Sequence, residues 1–169
     1  NKMLFKKTGL PLAAGSILFV ASSLQQAGLE HTTAGNAGFF TSLYVVIIPF
    51  LLSLFWKQRI RPQIWAAAAI AVVGAGLLST GGVKLSLAPG DPLEVCGADF
   101  WALHEIIVGV AVQHYHVLRF SVAQYCVAGG LHLAAGVLFY SDPFKGIDSA
   151  WWTILYIGIL STAMGYTLQ

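Results

Sequence analysis

The sequence predicts an all-α membrane protein, a multi-pass bundle of transmembrane helices, and three observations carry that expectation. Hydrophobic residues make up 57% of the 169 positions and charged ones only 9%, whereas a soluble domain carries about 25% charge and can coat its surface with it. Long uncharged runs recur along the chain, the clearest from Ala34 to Trp56. That run is long enough to cross ~30 Å of hydrocarbon at a rise of ~1.5 Å per residue. Lys and Arg gather in alternate gaps between such runs, as the positive-inside rule requires of a membrane protein.

Six apolar spans can be marked in order, at about 10–29, 34–56, 64–79, 100–113, 120–140 and 150–169. The first is preceded by Lys2, Lys6 and Lys7. The second opens with small residues around Asn36 and ends at Lys57, Arg59 and Arg61; Pro49 lies inside it, which a membrane helix tolerates when neighbours re-satisfy the freed carbonyl. The third is Ala-rich, with rows such as Ala67, Ala71 and Ala75 suited to close helix packing, as is Ser161 with Gly165 in the sixth. The fourth is short and contains His104 and Glu105. The longest connection, Thr80 to Asp99, holds Gly81, Gly82, Pro89, Gly90 and Pro92, which is turn chemistry. Residues 1–82 therefore form a first group of three helices, 83–98 a loop, and 99–169 a second group of three.

Orientation follows from the cations. Of the nine Lys and Arg, all but Lys84 and Lys145 fall on one side of this arrangement, and most of the acids fall on the other. The N-terminal end is thus expected in the cytoplasm and the 83–98 loop outside it. Trp151, Trp152 and Tyr140, at span ends, read as an interfacial aromatic belt. The first and sixth spans also echo one another, GSILFVASSLQQ against GILSTAMGYTLQ. If equivalent, they imply a five-helix repeat. An odd number of helices inverts the second copy, the layout by which many secondary transporters build two gates around one site.

Several classes are excluded. A net charge of +2, with cations at helix ends, gives no nucleic-acid surface. Cys96, in the expected loop, and Cys126, in an expected helix, are too few for a disulfide framework or a metal site. No phosphate-cradling Gly-x-x-x-x-Gly-Lys-Ser/Thr loop occurs, so ATP is not expected as the driving force. His104 and Glu105 begin a His-Glu-x-x-His pattern, but Val108 stands where its second metal ligand belongs. No cofactor is expected and no enzyme. Asn1 is followed by no signal-peptide layout, and the chain reads as an interior piece of a longer protein.

Taken in order, SLQQAGLEHTTAGNAGFFTSLYVVIIPF, GAGLLST, GADFWALHEIIVGV, SVAQYCVAGGL and LYIGILSTAMGYTLQ resemble the drug/metabolite transporter superfamily in its EamA-type branch. The resemblance implies ten helices in two inverted five-helix repeats, of which this chain would hold helices three to eight. It implies export of a small metabolite, an amino acid or related solute, by alternating access at the cell membrane. There are departures. Many members carry Gly-Glu-Arg at the cytoplasmic end of the fourth helix, where this chain has Lys57, Gln58 and Arg59, and Glu105 is unusual for the family. By this count six of ten helices would not transport alone.

An ionisable residue within a span marks a functional site by default. Glu105 is the leading candidate, ~9 Å into the fourth span by helical rise, on a face with Trp101, Val108, Gly109 and Val112. It can hold a substrate ammonium or a coupling proton, or pair structurally with His104 or Gln124. His104, Gln124, Gln26, Asn36, Trp101 and Tyr44 complete the candidate set as hydrogen-bonding or aromatic lining; Gln25 and Tyr125 are further neutral polar groups at membrane depth. His114 and His116 read as solvated at the cytoplasmic turn, and His132 as packed or bonded to a neighbour. Expected partners are the lipid bilayer and a small-molecule substrate, with self-association left open. The alternative is a non-transporting membrane scaffold or sensor, and a membrane-embedded enzyme ranks well behind both.

Overall fold

A computed structural model describes residues 2–80 and 87–164, and every regular element among them is helical. The order is α1 (Lys2–Leu29), α2 (Ala34–Ser42), α3 (Tyr44–Trp56), α4 (Pro62–Thr80), α5 (Asp91–Ala111), α6 (Val117–Phe139) and α7 (Ile147–Leu155), continued by a π-helical stretch, Tyr156–Met164. Gly9–Leu29, Ala34–Trp56, Pro62–Ser79 and Val117–Phe139 are each long and apolar enough to cross a membrane. The chain is a multi-pass membrane protein built from α-helices.

Three of the expected spans differ in detail. The second is two helices, interrupted at Leu43. Thr33 caps the first, its hydroxyl accepting from the Asn36 amide at 3.1 Å, as a threonine N-cap should. At the other end the Ser42 hydroxyl donates to the Phe39 carbonyl at 2.6 Å, a back-bond that bends helices. Pro49 lies buried inside α3. The sixth span is divided between α7 and the π-helical stretch, and Gly165 and Gln169 lie outside the described residues.

The largest correction concerns the fourth span. The helix that carries it begins at Asp91, ahead of Phe100, and ends at Ala111. Most of the expected loop is therefore helix: of its described residues only 87–90 are irregular. Cys96 is on α5, not in a loop, and both it and Cys126 are free and exposed.

The chain divides into two units, Ile17–Val110 on one hand and Asn1–Ser16 with Ala111–Gln169 on the other. Within the larger unit, α2 and α3 pack on α4. Small residues set the spacing: a Cβ at Gly35 would lie 2.9 Å from the Ser79 carbonyl oxygen, and one at Gly76 would lie 3.3 Å from the Phe39 ring. α1 meets α5 at Gly97, where a Cβ would lie 3.6 Å from the Ala21 carbonyl oxygen and 3.7 Å from the Leu24 Cβ, and small residues there let backbones approach closely. α3 ends on Lys57, held in the left-handed conformation at φ 52°, and Pro62 opens α4 in the first turn, where its missing N–H is no loss.

Within the smaller unit, α1 and α6 touch at Gly15. A Cβ there would lie 2.6 Å from both the Gln124 carbonyl oxygen and the Val127 Cβ. Phe120, Gln124 and Ala128 follow one another at four-residue spacing as the buried stripe of α6. Trp151 and Trp152 stack with ring centroids 4.0 Å apart on the exposed start of α7.

Candidate functional site

Two polar groups sit on α5, one at its tip and one near its middle. The tip is set by the run Gly90–Asp91–Pro92. The Gly90 carbonyl accepts from the Leu93 and Glu94 amides at 3.0 and 3.3 Å, opening the helix, while its own amide donates to the His31 carbonyl at 3.1 Å. This ties the loop ahead of α5 to the turn between α1 and α2. The approach is close enough that a Cβ at Gly90 would lie 2.2 Å from the Gly28 carbonyl oxygen. Only glycine fits there.

That closure delivers two carboxylates, Asp91 and Glu94, 4% and 0% exposed, to the junction of α1, α2 and α5. Asp91 is fully engaged. It accepts from the Thr32 hydroxyl, from the Asn36 side-chain amide at 3.4 and 3.3 Å and from the Ala88 amide at 2.7 Å. Burial opposes its ionisation, yet the bonds from Thr32, Ala88 and Asn36 outweigh it and hold this carboxyl, ahead of the apolar part of α5, below the usual carboxylate range.

Glu94 is served differently. Its Oε2 accepts from the Thr41 hydroxyl at 3.1 Å, and that hydroxyl accepts in turn from the Gln25 side-chain amide at 3.1 Å. Its Oε1 is buried without a hydrogen-bond partner. It rests against Gly28, where a Cβ would lie 2.6 Å from it. The missing side chain at Gly28 is what admits the carboxyl.

Farther along α5 lie Trp101, His104 and Glu105. His104 is 0% exposed, and its Nδ1 is 4.0 Å from Glu105 Oε1, on a carboxyl that is 25% exposed. Adjacent helix positions point apart, so this is an edge contact and the two face different surroundings. The Trp101 ring meets the His104 ring edge-on, centroids 6.0 Å apart. The Trp101 indole N–H is buried without a hydrogen-bond partner. Among the described residues no three or more His, Cys, Asp and Glu come together as a metal site.

Of the sequence candidates, the structure thus groups Trp101, His104 and Glu105, and it places Asn36 in the tip cluster instead. Gln26 is exposed, and its neighbour Gln25 makes the inward bond. Tyr44 is half-buried at the start of α3. Gln124 is 1% exposed on α6, and Tyr125 beside it has a buried hydroxyl. His132 bonds through Nδ1 to the Ala128 carbonyl at 2.9 Å, one turn back on its own helix. Glu94, expected in the loop, is more buried than Glu105. Sequence reasoning missed Asp91, Glu94, Thr32 and Thr41. The available signal was Asp-Pro with acids in the following turn, which marks a helix start.

The model of the EamA-like transporter family matches residues 2–80. Those residues are similar to the EamA-like transporter family. The matched residues hold the helices α1 to α4, which include three of the candidate spans, and with the turn between α1 and α2 they supply every side-chain donor to the tip carboxylates. The chain is also 37% identical over 73 residues to an uncharacterized transporter of Archaeoglobus fulgidus, an alignment covering 43% of this chain and 23% of that relative. No solved structure matches. The family match stops at residue 80, so α5, with both polar groups, lies beyond the matched residues.

Proposed function

We propose that this chain is part of a secondary transporter that moves a small metabolite, an amino acid or related solute, out of the cell by alternating access. It acts at the cell membrane, with the N-terminal end in the cytoplasm, without ATP and without enzymatic chemistry. Its partners are the lipid bilayer and the solute, and copies of the chain are free to associate. The EamA-like match and the transporter-named relative support transport in general. The observation that carries the reading to a site is the trio Trp101, His104 and Glu105 on α5, where a buried indole N–H and a His–Glu pair lie together. A carboxylate there recognises a solute ammonium, and the indole N–H suits the solute's carboxylate.

The test is solute flux in sealed vesicles holding the full-length protein of which this chain is part, screened over amino acids and related metabolites. Glu105→Gln is expected to lower flux at least tenfold for the solute that wild type moves. Unchanged flux in that variant would remove Glu105 from the site. A non-transporting scaffold is the second reading. It is favoured by Asp91, whose carboxylate is bonded as thoroughly as a structural joint requires, and it predicts no flux for any solute.

A further inference from the structure

Asp91 and Glu94 stand one helical turn apart on α5, both buried, yet their surroundings differ in kind. Donors converge on Asp91 from a hydroxyl, a side-chain amide and a backbone amide. Glu94 receives one, from Thr41, and leaves Oε1 buried with nothing to bond. Burying an uncompensated carboxylate is far more costly than burying the neutral acid. A second negative charge beside Asp91 adds to that cost. Two acids whose settings push them apart in this way divide into one that stays charged and one that carries the proton.

Among the described residues, the other elements at the junction offer Glu94 no counter-charge. α1 from Ile17 to Leu29 and the whole of α2 hold no ionisable side chain. Glu30 and His31, in the turn that follows α1, are exposed. Asp99 is on α5 itself and exposed. Among the described residues, Asp91 is therefore the one buried charge at the junction, and it is negative. On one side Gly28, without a side chain, already lies against Oε1. A proton is the ligand that needs no more space.

We propose that Glu94 is a proton-binding site, neutral while the α1–α2–α5 junction is closed and ionised when that junction opens to water. This rests on the transporter reading for its role, which is to make the proton the coupling ion. Closing the junction then takes up a proton and opening it releases one, because a charged Glu94 needs water that the closed junction excludes.

The test is infrared spectroscopy of the protein in lipid, titrated over pH and read at the C=O stretch of a protonated carboxylic acid. Wild type is expected to show that band at neutral pH and to lose it as pH rises. Glu94→Gln is expected to lack it, and Glu105→Gln to keep it. A band unaltered by Glu94→Gln at every pH overturns the proposal. Thr41→Val, which removes the one bond that favours the charged form, is expected to move the midpoint upward by about one pH unit. An unmoved midpoint overturns the proposal even if Glu94→Gln fails to fold. The band is read with no solute moving, so its outcome is separable from the flux assay. Absence of flux in wild type counts against transport alone. Flux that ignores an imposed pH gradient overturns the coupling role.

Discussion

The tip of α5 and its middle carry the same kinds of residue and solve opposite problems. At the tip, two carboxylates are buried by a turn that folds back on itself, and neighbouring helices supply the donors. In the middle, one carboxyl stays 25% exposed while its histidine neighbour is 0% exposed. Position along the helix does not rank their burial. The tip lies ahead of the apolar stretch and is the better sealed of the two. What differs is backbone architecture, because Gly28 and Gly90 let α1, α5 and the linking turn approach at the tip.

That contrast can be broken first at the backbone. Gly90→Ala is expected to have the largest effect, about 3 kcal/mol or more of lost stability. The new Cβ meets backbone that cannot swing aside. Thermal unfolding in detergent reads it. Asp91→Ala comes next, at about 2–3 kcal/mol, since it strands Thr32, Asn36 and the Ala88 amide. Gly28→Ala is expected to cost about 1–2 kcal/mol, because the obstructing atom belongs to a side chain. A double-mutant cycle with Glu94→Ala sharpens this: the penalty should largely vanish once the carboxyl is gone. Gln25→Ala is expected to cost about 1 kcal/mol, with Gln26→Ala within about 0.5 kcal/mol of wild type. In the middle, Glu105→Gln should change stability by about 0.5 kcal/mol or less, as for a weak, part-exposed pair, so its effect on flux reports the site rather than the fold.

Much of the helical frame was legible in the residues. The ends of the first and second spans at Leu29, Ala34 and Trp56 coincide with the helix bounds observed, because uncharged runs and cationic ends are strong signals. The start of α5 was not found, because Pro92 and its acids look like loop when weighed by polarity alone. A proline in the first turn, following Asp91, instead suits a helix start. The break at Leu43 depends on the Ser42 hydroxyl turning back onto Phe39, one of several options open to any serine. The choice of Gln25 over Gln26 is a matter of phase. Ala21, Gln25 and Gly28 share one face of α1 at helical spacing, and Gln26 lies ~100° away from Gln25. Trp101, His104 and Glu105 stand out in the sequence because polar groups are rare in apolar helices. Glu94 was not, because its burial comes from a fold-back that no single segment encodes.

The contact between Gly28 and Glu94 also constrains how this protein can diverge. The two positions lie far apart in the chain, yet the volume available to one is set by the other. In lineages that keep glutamate at position 94, residue 28 should remain glycine. A methyl group at 28 should become tolerable only where 94 has shortened, and the pair should therefore change together. Positions 28 and 90 guard the same strip of backbone, so drift at either narrows the substitutions open to the other. A glycine that makes no hydrogen bond through a side chain of its own thus acts as the gatekeeper for the chemistry of an acid on another helix.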